Sequence, residues 1–249
     1  MGRVDLELVA RGLAASRSAA QRLIADRAVF AAGGTPVARA SMQVGPHDAL
    51  RVAESAETRY VSRAGAKLEG ALRRAGWSVA GLDVLDVGMS TGGFADCLLQ
   101  AGAARVVGIE VGHGQLHPRL RNDPRVRCFE RTNVRDVAPG ALGDAAPAGG
   151  FARAVADVSF ISLTLVIPAI DRLLAPGARA LLLVKPQFEL TRDALDGRGV
   201  VTREADREAA LASVAGACRS AGWSVLDAFD SGVPGGDGNL EYFLSIQKP

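Results

Sequence analysis

Lysine is scarce in this 249-residue chain: of 29 basic residues, 26 are arginine, and only Lys67, Lys185 and Lys248 are lysine. A guanidinium keeps its proton at any working pH, whereas an amine can release one and take another. Lysines retained in an arginine-rich chain therefore invite an acid–base role. Lys185 heads the stretch Lys185-Pro-Gln-Phe188, directly after the apolar run ALLLV, where a buried strand opens towards a crevice. With Lys67 brought beside it, two ammonium groups in a partly desolvated site would repel, and one would lose its proton and become able to accept another. Asp157 is placed to hold the charged partner, and Glu241 the other lysine. The alternative is an ion-pair cluster with a structural task at a domain seam.

A second group of residues suits a cofactor. In an open α/β sheet, ligands bind outside the carboxyl ends of the parallel strands. Asp86 ends one apolar run, Glu110 closes the next, and Asp157 and Lys185 follow two later ones. The loop Asp86-Val-Gly88-Met-Ser90-Thr91-Gly92-Gly93-Phe94 joins a strand to a helix, and its glycines let backbone approach a ligand closely. It lacks the GxGxxG spacing that turns under a dinucleotide pyrophosphate, which counts against NAD or FAD. It suits S-adenosylmethionine, whose aminocarboxylate and sulfonium need a cavity and no phosphate cradle. Glu110, 22 residues beyond Gly88, is placed to accept hydrogen bonds from the two ribose hydroxyls of an adenosyl group. A glycine-rich connector without a ligand is the alternative.

The elements that must position these groups follow from periodicity. Short apolar runs at 82–87, 105–110, 126–130, 151–156, 178–184, 223–229 and 240–246 alternate with helical segments, the clearest at 161–174 and 203–221. This predicts an α/β fold with a Rossmann-like, mostly parallel sheet of seven strands. A last strand inserted antiparallel starts at the rim where its parallel neighbours end, which brings Glu241 to Lys185. Ser62 is expected to cap a helix running to Ala75, with Lys67 bordering its apolar stripe. The segment 138–150 reads as a loop. Upstream, helices at 4–13 and 16–26, with Ser16 as N-cap, precede short strands near 29–30 and 49–52, a compact α+β unit. The polar residues 53–59 read as a linker, giving units 1–59 and 60–249.

Composition removes several classes. Hydrophobic residues make up 48% and charged residues 22%, as in ordinary globular chains, and the formal charge of +2 argues for no nucleic acid by itself. Cys97, Cys128 and Cys218 lie far apart, without disulfide or zinc-ligand spacing, so no metal is expected and a reducing compartment fits. Charges at Arg3, Asp5, Glu7 and Arg11 interrupt any signal peptide, and no apolar run is long enough to span a bilayer, so the chain is expected in the cytoplasm without stable membrane association. Local charge is more telling. Through Arg63 there are nine arginines against six acids, with Arg11, Arg17, Arg22 and Arg27 on the helical pair. Arg3, Arg11, Arg17, Arg22 and Arg63 are candidate RNA contacts, with a solvated helix face as the alternative.

Several stretches together resemble the TlyA family, often labelled haemolysin A-like. They are Tyr60-Val-Ser-Arg-Ala-Gly-Ala-Lys67-Leu-Glu69, the 86–94 loop, Gly112-His-Gly-Gln-Leu116, Glu130-Arg-Thr-Asn133, Asp157-Val-Ser-Phe-Ile-Ser-Leu163, Val184-Lys-Pro-Gln-Phe-Glu189 and Gly238-Asn-Leu-Glu-Tyr-Phe243. The resemblance covers nearly the whole chain. It implies an N-terminal S4 RNA-binding domain joined to an FtsJ-like methyltransferase domain that methylates ribose 2'-hydroxyls of ribosomal RNA. It places Lys67, Asp157, Lys185 and Glu241 on the family's Lys-Asp-Lys-Glu tetrad, and Asn133 and Asp157 with the 86–94 loop in the cofactor site. The chain departs from the family at Ala64, at Glu110 (commonly Asp) and at His113 (commonly aromatic), none of them in the tetrad.

The implied reaction is direct methyl transfer in which neutral Lys185 takes or steers the 2'-hydroxyl proton, Asp157 and Lys67 orient it, and Glu241 fixes Lys67 or the ribose. The glycine-rich loops 196–201 and 231–239 are candidate RNA gates or plain connectors, with Arg198 placed to meet a phosphate. Other chemistries fit less well. A base N-methyltransferase needs an Asn/Asp-Pro-Pro-aromatic tetrapeptide where this chain has Asp157-Val-Ser-Phe160, and carbon-5 methylation of cytosine needs a cysteine at the site. A membrane-active haemolysin and a non-catalytic ribosome-assembly factor are the remaining alternatives. Ribosomal RNA within ribosomal subunits is the expected partner, and a monomer the expected state.

Overall fold

The computed structural model describes the chain except for residues 15, 26, 54–58, 139 and 236–237 and the side chain of Arg22. Most of the expected linker and the expected RNA contact at Arg22 therefore lie outside the described residues. The chain divides into two compact units, Met1–Arg59 and Tyr60–Pro249.

In the first unit, β1 (Gly2–Arg3) leads into α1 (Val4–Ala10), followed by α2 (Arg17–Ala25), β2 (Val29–Ala31), β3 (Gln43–Val44) and β4 (Leu50–Val52). β1 pairs with β3 and β2 with β4, both antiparallel. Helix α1 stops three residues earlier than its apolar spacing suggests. Gly12 takes a φ of +69°, and the amides of Gly12 and Leu13 fold back to donate to the carbonyls of Val9 and Leu8. Ser16 does cap α2, its hydroxyl accepting from the Ala19 amide at 3.2 Å. Val4, Leu8, Ala20, Ile24, Val29, Val37 and Val44 form a small separate core.

The second unit opens with α3 (Ala64–Ala75) and then alternates: β5 (Asp83–Val87), α4 (Gly93–Gln100), β6 (Arg105–Ile109), α5 (Pro118–Arg121), β7 (Val126–Phe129), β8 (Phe151–Ala156), α6 (Ile167–Leu173), β9 (Leu174–Val184), α7 (Pro186–Glu189), α8 (Glu204–Ser220), β10 (Ser224–Asp230) and β11 (Tyr242–Gln247). The sheet order is β10-β11-β9-β8-β5-β6-β7, parallel from β9 to β7, with β11 antiparallel between β9 and β10. Chain direction across the sheet reverses at β5, whose neighbours are β6 on one side and β8 on the other, and a crevice opens there. One face of the sheet packs on α6 and α8 through Leu85, Ile109, Phe151, Ile170, Val214 and Trp223. The other carries α3 and α4 on Leu68, Val84, Phe94, Leu98, Val106 and Phe243.

Two local expectations need correction. The expected helix at 161–174 is a short 3-10 turn at Leu163–Leu165, then α6, with β9 already begun at Leu174. Ser162 turns the chain by accepting from the Thr164 amide, and Pro168 in the first turn of α6 has no N–H to extend a helix backwards. Ser62 does not cap α3 with its side chain, and Arg63 occupies the N-cap position. The Ser62 hydroxyl packs against Gly93 instead, where an added Cβ would lie 2.1 Å from it, so α3 and α4 start in close contact.

Candidate functional site

The crevice above β5, β6 and β8 holds about 540 Å³ and is lined by Val87, Gly88, Ser90, Glu110, Val111, Asn133, Asp157 and Phe160, among others. Gly88 shows why the sequence folds this way. Its φ is +85°, and a Cβ there would come within 2.3 Å of the Asp157 carbonyl oxygen. Only glycine lets the loops after β5 and β8 meet at the crevice floor. Ser90 takes a φ of +49° and donates its amide to Glu110 Oε2 at 2.8 Å, while the Gly112 amide donates to Oε1 at 2.7 Å. Two backbone donors thus hold the Glu110 carboxylate at the crevice wall, and each oxygen keeps a lone pair for a further donor such as a vicinal diol. Asn133 accepts from the Arg135 amide at 3.1 Å, leaving its NH2 group to donate.

Other expected cofactor residues stand behind the wall. Asp86 is fully buried and neither carboxylate oxygen has a hydrogen-bond partner. Burial first, then the charges of Asp157 and Glu110, push its carboxyl well above the ordinary range. A carboxyl so placed stands behind the crevice wall and does not line the crevice. Gly92, Gly93 and Phe94 are buried in the turn and the start of α4, where Phe94 stacks on Phe243 at 6.1 Å, and Thr91 is exposed beside them. Their contribution is to the shape of the loop.

The four tetrad positions converge on one rim as two ion pairs. Lys67 donates to Glu241 Oε2 at 2.6 Å, and both are buried. Lys185 Nζ lies 2.5 Å from Asp157 Oδ1 and donates to Ser159 Oγ at 2.9 Å. Tyr242 pairs with Val184, so Glu241 and Lys185 leave the sheet side by side. Glu241 stands one residue before β11 and does not open it. Each amine therefore has its own carboxylate, and the Lys185–Asp157 pair borders the crevice.

The surrounding loops contain residues that sequence reasoning passed over. Phe160 is 91% exposed at the crevice mouth, with a φ of +62° and its ring 5.1 Å from that of Phe188. A solvent-facing aromatic held in a left-handed backbone offers a flat apolar face to a planar ligand. Glu189 accepts from Ser162 Oγ at 2.5 Å and from the Leu163 amide at 2.9 Å, tying the segment after Lys185 to the segment after Asp157. Burial pushes its carboxyl up. Asn239 is buried, accepting from the Val201 amide and donating to the Gly199 carbonyl, so it pins the 196–201 and 231–239 loops together. All three lie in or beside the stretches quoted above. Backbone handedness and long-range pairing left no mark in their spacing.

The cysteines supply no nucleophile here. Cys97 is buried within α4, and burial pushes the Cys128 and Cys218 thiols up to about 12. The expected RNA contacts are mostly tied down. Arg3 and Arg17 both pair with buried Asp5, Arg11 pairs with Glu7 and donates to the Gly45 and Asp48 carbonyls, Arg63 sits at the start of α3, and exposed Arg198 reaches back to Asp196.

Comparisons with known proteins agree with this geometry. The FtsJ-like methyltransferase family matches residues 60–248. The 16S/23S rRNA (cytidine-2'-O)-methyltransferase TlyA of Mycobacterium tuberculosis is 44% identical over 245 residues, 98% of this chain and 89% of the relative. Hemolysin A of Brachyspira hyodysenteriae is 37% identical over 96% of this chain and 97% of its own. A hemolysin-named structure from Streptococcus thermophilus superposes with a TM-score of 0.77 at 36% identity, covering 99% of this chain and 88% of that one. An S-adenosylmethionine-dependent methyltransferase from Mesorhizobium loti shares the fold at a TM-score of 0.53 and 15% identity, over 74% of this chain and 99% of that one. The glycine-floored crevice, the paired lysines on its rim and these likenesses along the whole chain make it a member of the FtsJ-like methyltransferase family, of the TlyA type.

Proposed function

We propose that this protein transfers a methyl group from S-adenosylmethionine to the 2'-hydroxyl of a ribose in ribosomal RNA, at a cytidine. The observation that carries the reading is the Lys185–Asp157 pair at the mouth of the crevice, with the buried Lys67–Glu241 pair beside it. The residues present fit the cofactor: the volume suits a ligand of that size, the Gly88 floor admits close approach, and the Glu110 carboxylate is presented by two backbone amides. Glu110 would hold the ribose diol, and Asn133 and Val111 would lie against the adenosyl group. When bound, the cofactor supplies an electrophilic methyl on a sulfonium.

The chain's own groups handle the proton. Asp157 and Ser159 fix Lys185 at the rim. Lys185 must first release the proton of its ion pair to solvent; the neutral Nζ then takes the 2'-hydroxyl proton as the sugar oxygen becomes nucleophilic, and the Asp157 carboxylate stabilises the ammonium that re-forms. Lys67 and Glu241, desolvated and mutually neutralising, hold that end of the sheet rigid and position the sugar. The exposed Phe160 ring supports the base of the target nucleotide. The first unit serves as an S4-like RNA-binding domain, with Arg3, Arg11, Arg17 and Arg22 as contacts to the phosphate backbone, and Arg63 and Arg198 of the second unit add to them. A cytoplasmic monomer acting on ribosomal subunits fits this reading, and among the described residues no helix is long and apolar enough to cross a membrane.

The test is to map 2'-O-methyl marks on ribosomal RNA from cells with and without the protein. A cytidine mark that disappears with the protein and returns with the wild-type chain is expected. An unchanged map would remove the reading.

A further inference from the structure

The foot of the sheet, at the opposite ends of the strands from the crevice, holds a pair of arginines that the methyl-transfer reading leaves unused. Several arginines of the second unit have an acid: Arg74 pairs with Asp227, Arg105 with Asp83, Arg119 with Asp96 and Arg127 with Asp144. Arg153 and Arg179 do not. They are register partners on β8 and β9, on the face that carries α3, and both are half-buried. Neither has an acidic partner among the described residues. The Arg153 guanidinium lies 5.5 Å from the ring centre of Trp77, donates to its neighbour's carbonyl at Ala152, and keeps a buried Nε with no partner. Burial and the Arg179 charge both push Arg153 down. Two like charges held together, partly out of water and without a counter-charge, are costly unless an anion joins them.

We propose that Arg153 and Arg179, with Trp77 holding the first of them in place, bind a phosphodiester of the RNA substrate at a second anchor away from the reacting ribose. A stacked guanidinium is preorganised, and two forks side by side match the oxygens of one phosphate. Arg153 lies four residues before Asp157, about 13 Å along β8, so one folded RNA can reach both points. The helix that presents Lys67 near its start leads directly into Trp77 beyond its end, so both positions hang on α3. The proposal rests on the RNA-methyltransferase reading above.

The experiment measures affinity for ribosomal RNA, across a salt series, for the full-length wild type, Arg153→Gln/Arg179→Gln and Arg153→Lys/Arg179→Lys. S-adenosylmethionine binding serves as the control, and inorganic phosphate as a competing small anion. The glutamine pair is expected to bind RNA about tenfold more weakly, with a salt slope shallower by about one to two, while cofactor affinity stays within about twofold. The lysine pair is expected to recover only part of the loss, because it restores the charge without the stacking on Trp77 or the paired forks. RNA binding equal in wild type and glutamine variant overturns the proposal, including the case in which only inorganic phosphate binding is lost, which would mark a small-anion site. A wild type that binds no ribosomal RNA overturns the functional reading and this one with it. If the double variant folds poorly, Arg179→Gln alone carries the test, with about half the loss in log affinity expected.

Discussion

At the scale of single residues the account turns on Lys185, because an amine can take a proton and a guanidinium cannot. Lys185→Arg keeps the charge beside Asp157 and the reach to Ser159, yet removes the acceptor. The expected result is a fall in kcat of about 100-fold or more with cofactor affinity unchanged, measured by methyl transfer and calorimetry on the same preparation. Near wild-type turnover would show that the pair only positions the sugar. Glu189 acts one step further out. Glu189→Ala frees Ser162 and the Leu163 amide, loosening the segment that carries Ser159 and Phe160. It should lower kcat about tenfold while leaving cofactor binding intact, and Glu189→Gln, which keeps an acceptor, should recover part of that loss. Lys185 was legible because a scarce amine stood at a strand end, and Lys67 because it was one of only three lysines in the chain. Glu189 was not, since its partners lie 26 and 27 residues away and nothing in its own stretch marks the turn that brings them close.

Among the elements, the decisive one is β11. Inserted antiparallel beside β9, it sets Glu241 against the end of the strand that carries Lys185, and α3 then supplies Lys67 from above. That topology was readable from the alternation of apolar runs and from a charged residue at the start of the last of them. The expected helix at 161–174 was not, because its apolar spacing suits a helix equally well and only the Ser162 turn and the early start of β9 break it. The α3–β11 link also makes a stability claim. Lys67→Met leaves the Glu241 charge buried and alone, which costs about 3–5 kcal/mol, whereas Lys67→Met/Glu241→Leu should recover much of that stability without recovering activity. Denaturant melts of the two variants beside wild type check this. Equal destabilisation in both would mean that packing, and no buried charge, dominates the link.

For the molecule as a whole, two units with separate cores predict separable responses to acid. Asp5 is buried in the first unit, and its hydrogen bond with Arg3, then those from Gln21 and Arg17, hold its carboxyl well below the usual carboxylate range. A carboxyl depressed in the folded state contributes stability above its unfolded value, near pH 4, and loses it as pH falls towards the folded one. Asp5→Asn should therefore lower the melting temperature at neutral pH by a few degrees and flatten the acid limb below about pH 4, read by signals from the first unit. A variant that melts like wild type at pH 7 would remove that role. The central claim is tested most directly by incubating the purified protein with tritiated S-adenosylmethionine and ribosomal subunits lacking the mark, then digesting the RNA to nucleosides. The account predicts label in 2'-O-methylcytidine, absent with Lys185→Arg. Label in a base-methylated nucleoside, or no transfer by a protein that binds the cofactor, would contradict it.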